Sequence, residues 1–247
     1  MHVTLLVIPC FRERERLPSF LPGLCRALSA LEGLRIRVVD DGSGPEQQEW
    51  LAAWVEQLRQ EFPFLDPAQL NAENLGKGGA VYSGWDRPDG ADRLAFVDAD
   101  GAVPPGEVLR VLRQADLTPD KAVFAVRTGA DGTRVRRALY RRVAGGIFRR
   151  FVRRFFRFPL PDTQCGFKLV PAAAFAAIRP ALREYRFTFD VELTWHLLHR
   201  GVSIIPVPIH WTESPGSRLR PANAWQMYHS IKSLRHRLGD WRQPQGE

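Results

Sequence analysis

The sequence predicts an α/β protein: a mainly parallel β-sheet with helices on both faces. Three observations lead there. Short apolar, β-branched runs alternate with helical periodicity through the first half, the β-α-β-α order that produces parallel sheets. Each run stops at a polar or glycine-rich cluster, and open sheets of this kind bind ligands beyond the carboxyl ends of their strands. The composition, 45% hydrophobic and 25% charged over 247 residues, suits one large core. It excludes disordered, collagen-like and disulfide-stapled classes.

Val3-Thr4-Leu5-Leu6-Val7-Ile8 reads as a buried strand closed by Pro9, with a helix over 18–31. Arg35-Ile36-Arg37-Val38-Val39 is a second strand, ending at Asp40-Asp41-Gly42-Ser43. Pro45 suits the first turn of a helix over 45–61. Asn74-Leu75-Gly76-Lys77-Gly78-Gly79-Ala80 reads as a glycine-rich turn before a helix over 80–87. Leu94-Ala95-Phe96-Val97 is a strand ending at Asp98-Ala99-Asp100, followed by a helix over 104–114 and a strand over 122–126. The second half reads as a helical region over 134–157, a loop over 159–166, helices near 171–178 and 188–200, and a strand near 202–209. No G-x-G-x-x-G follows the first strand, so a dinucleotide site is not supported.

The net charge of +8 is concentrated. Ten arginines and no acidic residue lie between Arg134 and Arg157; elsewhere 25 basic residues face 27 acidic ones, a net of −2. Val135, Leu139, Val143, Ile147, Phe151 and Phe155 recur every four residues, with Phe148, Val152 and Phe156 beside them. This is the pattern of an amphipathic helix, or of a pair broken at Gly145-Gly146. A basic helix with phenylalanines on its apolar face suits an anionic membrane surface. The same stripe suits the core or a membrane-protein partner. Nucleic acid would explain the arginines by phosphate neutralisation but leaves the acidic strand ends unexplained, and no nucleic-acid-binding signature is present.

Cys10, Cys25 and Cys165 form no C-x-x-C pair, which points to a reducing compartment and away from zinc. The longest apolar runs fall well short of the roughly 20 residues of a membrane span. The first strand runs straight into Arg12-Glu13-Arg14-Glu15-Arg16, without the pattern of a signal peptide. The expectation is a cytoplasmic protein, peripheral to the inner face of a membrane, without a transmembrane helix.

Asp98 and Asp100, two residues apart on a turning loop, can converge on a hard cation that neutralises a diphosphate. Such a triplet can equally cap a turn. Asp40-Asp41-Gly42-Ser43 suits an Asx-type turn and helix cap, or, with Asp98 and Asp100, an acidic rim. The glycines around Lys77 let the backbone approach a phosphate or sugar, and Lys77 offsets its charge. The spacing of a P-loop is absent. Asp190 and Glu192 stand at a helix start, either as general bases or as dipole compensation. His210 suits a metal or a structural role, Trp211 a sugar platform or the core, and His196 and His199 a helix surface.

Taken in order, Val7-Ile8-Pro9-Cys10-Phe11-Arg12-Glu13, Val38-Val39-Asp40-Asp41-Gly42-Ser43, Asn74-Leu75-Gly76-Lys77-Gly78-Gly79 and Phe96-Val97-Asp98-Ala99-Asp100-Gly101 resemble the GT-A-fold nucleotide-sugar glycosyltransferases of family 2. Three later stretches look like its dolichyl- and polyprenyl-phosphate glucosyltransferase and mannosyltransferase branch. They are Asp162-Thr163-Gln164-Cys165-Gly166-Phe167-Lys168, Phe189-Asp190-Val191-Glu192-Leu193 and Trp211-Thr212-Glu213-Ser214-Pro215-Gly216-Ser217-Arg218.

The resemblance implies one GT-A domain over 1–240, with a nucleotide-binding half over 1–128, an acceptor-binding half over 129–240 and a tail over 241–247. It implies that Pro9, Glu13 and Asp40 or Asp41 hold the nucleoside, and that Gly76 and Lys77 lie by the ribose or diphosphate. Asp98 and Asp100 would carry Mg²⁺ or Mn²⁺. Arg127, Arg137 and Arg141 would grip an acceptor phosphate, Asp162 and Gln164 would shape the sugar pocket, and Ser217 and Arg218 would close over the donor. The implied reaction is inverting transfer of a hexose from a nucleotide-sugar donor to a polyprenyl phosphate. Gly101-Ala102, where mannosyltransferases of the branch often carry Leu-Gln, favours UDP-glucose over GDP-mannose. The alternative is transfer to a glycan or small-molecule hydroxyl with Asp190 as base.

Overall fold

The computed structural model describes residues 2–128, 134–136, 152, 154–186, 188–212 and 222–239. Strand β1 (Thr4–Cys10) leads into helix α1 (Leu17–Leu28), then β2 (Leu34–Asp40), α2 (Pro45–Glu61), a short β3 (Gln69–Leu70) and α3 (Lys77–Trp85). Next come β4 (Arg93–Val97), α4 (Pro105–Asp116), β5 (Ala122–Val126) and β6 (Val135–Arg136). Then follow β7 (Phe167–Pro171), α5 (Ala172–Ile178), α6 (Phe189–His199), β8 (Ile204–Pro208), β9 (Trp211–Thr212) and α7 (Ala222–Leu238).

One seven-stranded sheet runs in the order β3-β2-β1-β4-β7-β5-β8. All its pairings are parallel except those of β7, which runs antiparallel between β4 and β5. The chain moves outward from β1 to β2 and β3, then crosses back to place β4 on the other side of β1. The crevice beyond the carboxyl ends of β1 and β4 is therefore a topological switch point, the position where such sheets bind ligands.

Alternation along β1 divides the core between the two faces. Leu6, Ile8 and Cys10 pack with Leu17, Leu21, Leu24, Val55, Val108 and Val111 from α1, α2 and α4. Leu5 and Val7 pack with Tyr82, Trp85, Phe175 and Val191 from α3, α5 and α6. Each such aliphatic side chain contributes roughly 1.5–3 kcal/mol on full burial, so the strand ends rest on a rigid platform.

The structure departs from the sequence pattern in several places. β1 continues through Pro9 to Cys10, because β4 pairs with it only as far as Val7 and the missing N–H of Pro9 costs nothing on that side. Helix α3 starts at Lys77 rather than near 80, drawing the glycine pair into its first turn. β7 is an unexpected strand. At the start of the expected 134–157 helix, Val135 and Arg136 instead pair as a strand with Trp211 and Thr212. Helix α7 has no counterpart in the sequence reading.

Residues 137–151, which hold most of the arginine-rich stripe, lie outside the described residues. Of the stripe's end, Val152 and Phe156 are buried and Phe155 is half-buried against the same core cluster. These side chains take the core alternative.

Candidate active site

The carboxylates ending β2 turn toward backbone donors. Asp40 accepts the Ser43 N–H and a Gln48 side-chain N–H, both at 2.9 Å. Asp41 accepts the N–H groups of Leu75 at 2.9 Å and Gly76 at 2.8 Å, and its carbonyl accepts the Asn74 side chain. Burial raises the Asp41 carboxyl above its usual range, and these two amides only partly counter it. Both residues act as turn anchors that tie the glycine-rich segment to β2. Pro9 lies beside them in β1, and Glu13 holds Arg16 through two contacts of 2.5 and 2.7 Å.

Gly76 is the residue before α3, at φ +91°, and a Cβ there would stand 2.6 Å from the Tyr185 carbonyl oxygen. Only glycine tolerates both conditions. The Gly79 N–H donates to that carbonyl at 3.0 Å. The start of α3 is thus clamped against the segment before α6, which fixes the root of Lys77.

From there the Lys77 ammonium reaches Asp98, Nζ to Oδ1 2.6 Å, and it stands over the Phe96 and Phe189 rings. Burial would lower the Lys77 pKa, but Asp98, Asp190 and Asp100 together raise it. Asp98 is backed by the 162–166 loop: its N–H donates to the Gly166 carbonyl at 2.9 Å. A Cβ on Gly166 would fall 1.9 Å from Asp98 Oδ2, so the loop touches the carboxylate at the one residue that can come so close. Asp100 accepts the Ala102 N–H at 3.0 Å. Burial and the charge of Asp98 raise the Asp100 carboxyl. Two hard-oxygen donors that repel each other at a strand end fit a hard divalent cation. Among the described residues no group of three or more His, Cys, Asp or Glu side chains forms a complete cage.

Behind this pair lies a contact the sequence did not disclose. Lys168 on β7 is fully buried, with Nζ 2.6 Å from Asp190 Oδ1 and 2.7 Å from the Cys165 carbonyl oxygen. It also lies over the Phe96 and Phe124 rings. Asp190, in the first turn of α6, is 4% exposed; burial raises its carboxyl against the pull of Lys168 and Lys77. The signal in the sequence was a single lysine inside the apolar run Phe167-Lys168-Leu169-Val170.

Arg127 is not a free cation. Its Nε and Nη2 lie 2.7 and 3.1 Å from the Asp162 carboxylate, and its guanidinium lies over the Trp211 ring. Burial would raise the Asp162 carboxyl, but Arg127 and the Gln164 N–H hold it well below the usual range. The structure therefore brings Arg127, Asp162 and Gln164 together as a braced wall. His210 has a structural role, its Nδ1 accepting the Arg134 N–H at 3.0 Å. Glu192 is fully buried and accepts the N–H groups of Arg183 and Glu184 at 2.8 and 2.6 Å, and Arg237 Nη1 at 2.6 Å. It is a hub joining α6, the segment before it and α7. Arg137, Arg141, Ser217 and Arg218 lie outside the described residues.

A mainly parallel sheet with an acidic pair at its switch point, and an antiparallel β7 behind that pair, has the architecture of the GT-A fold. The chain belongs to glycosyl transferase family 2, whose sequence model matches residues 5–184. It is 30% identical to the dolichyl-phosphate beta-glucosyltransferase of Mus musculus, over 96% of this chain and 76% of the mouse protein. It is also 30% identical to the polyprenol monophosphomannose synthase of Mycolicibacterium smegmatis, over 85% of this chain and 77% of that one. Among solved structures, glucosyl-3-phosphoglycerate synthase from Mycobacterium tuberculosis, in complex with Mn²⁺, UDP and phosphoglyceric acid, superposes with a TM-score of 0.67 at 16% identity. That likeness covers 98% of this chain and 80% of the other. A mannosyltransferase from Pyrobaculum calidifontis, in complex with GDP-mannose and Mn²⁺, gives 0.65 at 15% identity, covering 98% and 65%. These two establish the fold.

Proposed function

We propose that the protein transfers glucose from UDP-glucose to a polyprenyl phosphate, with inversion at the anomeric carbon. The observation that carries this reading is the likeness to dolichyl-phosphate beta-glucosyltransferases along 96% of the chain. Gly101-Ala102 after the acidic pair supports UDP-glucose over GDP-mannose.

In this reading the nucleoside rests over Pro9, Glu13 and the turn anchored by Asp40 and Asp41. Gly76 and Lys77 face the ribose and diphosphate. Asp98 and Asp100 hold Mg²⁺ or Mn²⁺, which when bound supplies positive charge to the leaving diphosphate. Arg127, Asp162 and Gln164 wall the sugar pocket. Arg137 and Arg141 take the acceptor phosphate, and Ser217 and Arg218 close over the donor. The acceptor phosphate oxygen forms the new bond to the anomeric carbon as the bond to UDP breaks. A phosphate is already anionic at neutral pH, so it needs orientation and charge compensation rather than a base.

A hydroxyl acceptor would need a base, and Asp190 is the residue in question. Its Oδ1 is held at 2.6 Å by Lys168 in a buried pair, which suits a fixed structural anion better than a proton acceptor. We assign the remaining arginines of 134–157, but not Val152 and Phe156, which are buried in the core, to an anionic membrane surface; no helix among the described residues is long and apolar enough to cross a membrane. Flotation with anionic vesicles checks that assignment, and failure of the wild type to float would remove it.

The test is a donor panel of UDP-glucose, UDP-GlcNAc, UDP-galactose and GDP-mannose, with Mn²⁺ or Mg²⁺ and a short polyprenyl phosphate. A β-glucosyl lipid from UDP-glucose is expected. Preferential use of GDP-mannose, or retention of configuration, would overturn the donor and stereochemical assignments.

A further inference from the structure

We infer that Lys77 is the resident cation of the Asp98 site and exchanges with the divalent ion when the donor diphosphate arrives. The inference rests on the reading of Asp98 and Asp100 as cation ligands.

The geometry carries it. Lys77 Nζ stands 2.6 Å from Asp98 Oδ1. It lies 5.3 Å from the centroid of the Phe96 ring and 5.9 Å from that of Phe189, so one carboxylate and two aromatic faces surround the ammonium. This is itself a cation site, filled by the protein. A small divalent ion on Asp98 would sit about 2.0–2.2 Å from its oxygen. Lys77 in its present position would then face a like charge within a few ångströms. Asp190 is already paired with Lys168, which leaves Asp98 and Asp100 to balance an ammonium and a divalent ion; a diphosphate supplies the missing negative charge.

The root and tip of Lys77 differ in freedom. Its backbone is fixed by the Gly79 N–H bond to the Tyr185 carbonyl and by the close approach at Gly76. Its side chain is a flexible four-carbon stem with a compact charge, and both Lys77 and Asp98 retain solvent contact, at 23% and 32% side-chain exposure. The ammonium can therefore leave Asp98 for a diphosphate oxygen without moving α3. Metal and nucleotide are thereby coupled: each binds weakly alone, and each makes the other's site. Coupling of this kind is commonly about 5- to 150-fold.

The experiment measures Mn²⁺ binding through the free-Mn²⁺ EPR signal, with no nucleotide and with UDP, for wild type, Lys77→Met, Lys77→Gln, Lys77→Arg and Asp98→Asn. Without nucleotide, the Met and Gln proteins should bind Mn²⁺ about tenfold tighter than wild type, and UDP should strengthen their Mn²⁺ binding less. A gain in affinity cannot come from a damaged fold. Lys77→Arg should stay near wild type. If the neutral variants match or fall below wild type without nucleotide, while Asp98→Asn abolishes binding, the exchange is overturned and the cation site stands. If no protein binds Mn²⁺ even with UDP, both are overturned.

Discussion

Glu192 offers the sharpest separation of structural from chemical roles. The sequence places it beside Asp190 as a possible base, yet in the structure both its carboxylate oxygens accept from protein donors. Replacing it with alanine orphans the N–H groups of Arg183 and Glu184. Both bonds are part-buried, so each lost partner costs toward the lower end of about 1–3 kcal/mol, about 2 kcal/mol for the two together. The lost Arg237 contact adds little, because that guanidinium is 36% exposed and solvent replaces the carboxylate. For a chain of this size a loss of 1 kcal/mol lowers Tm by about 2–4 °C. Glu192→Ala should therefore lower Tm by at least about 4 °C, while Arg237→Ala changes it much less. Scanning calorimetry on both variants decides the matter. Equal shifts, or a Glu192→Ala protein as stable as wild type but inactive, would refute the hub and restore a chemical role.

Three further outcomes follow from the same geometry. Gly166→Ala should lower kcat by about 100-fold or more, since its Cβ must displace Asp98 and misplacements near 1 Å carry penalties of that order; wild-type turnover would contradict the backing role. Lys168→Met should destabilise by about 3–5 kcal/mol by leaving a buried charge without its partner. The Lys168→Met/Asp190→Leu double variant should recover much of that loss in thermal melts, and an additive loss would contradict the pairing. The Asp162 carboxyl is held low in the fold, so the stability it contributes is present above the unfolded value near 3.9 and fades as pH falls below it. Melts of wild type and Asp162→Asn should therefore converge as pH drops below about 4; a gap that widens there would contradict the sign.

What could be read from the sequence depended on how each element announces itself. β1 is an apolar run closed by proline, and β2 and β4 end at acidic clusters, so both the sheet and its functional rim were visible together. β7 was not, because a buried lysine interrupts a run of only five residues, and its partner Asp190 lies 22 residues further on. The start of α3 was misplaced because Gly78 and Gly79 look like loop residues. Here they are packing residues: a Cβ at either would meet Phe189 or Leu75 within 2.5 Å. Charge type located the acidic clusters, but not the direction the carboxylates face. Asp40, Asp41 and Glu192 turn inward to peptide N–H groups, while Asp98 meets a lysine at the switch point. Arg127 looked like a phosphate grip for the same reason: an ion pair with a residue 35 positions away leaves no local trace.

The acceptor proposed for this enzyme is a lipid phosphate. Purified protein given labelled UDP-glucose, Mn²⁺ and either a polyprenyl phosphate or the corresponding polyprenol tests it most directly. Labelled lipid is expected from the phosphate and none from the alcohol. Transfer to the alcohol, or to a soluble sugar hydroxyl in preference to the phosphate, would contradict it.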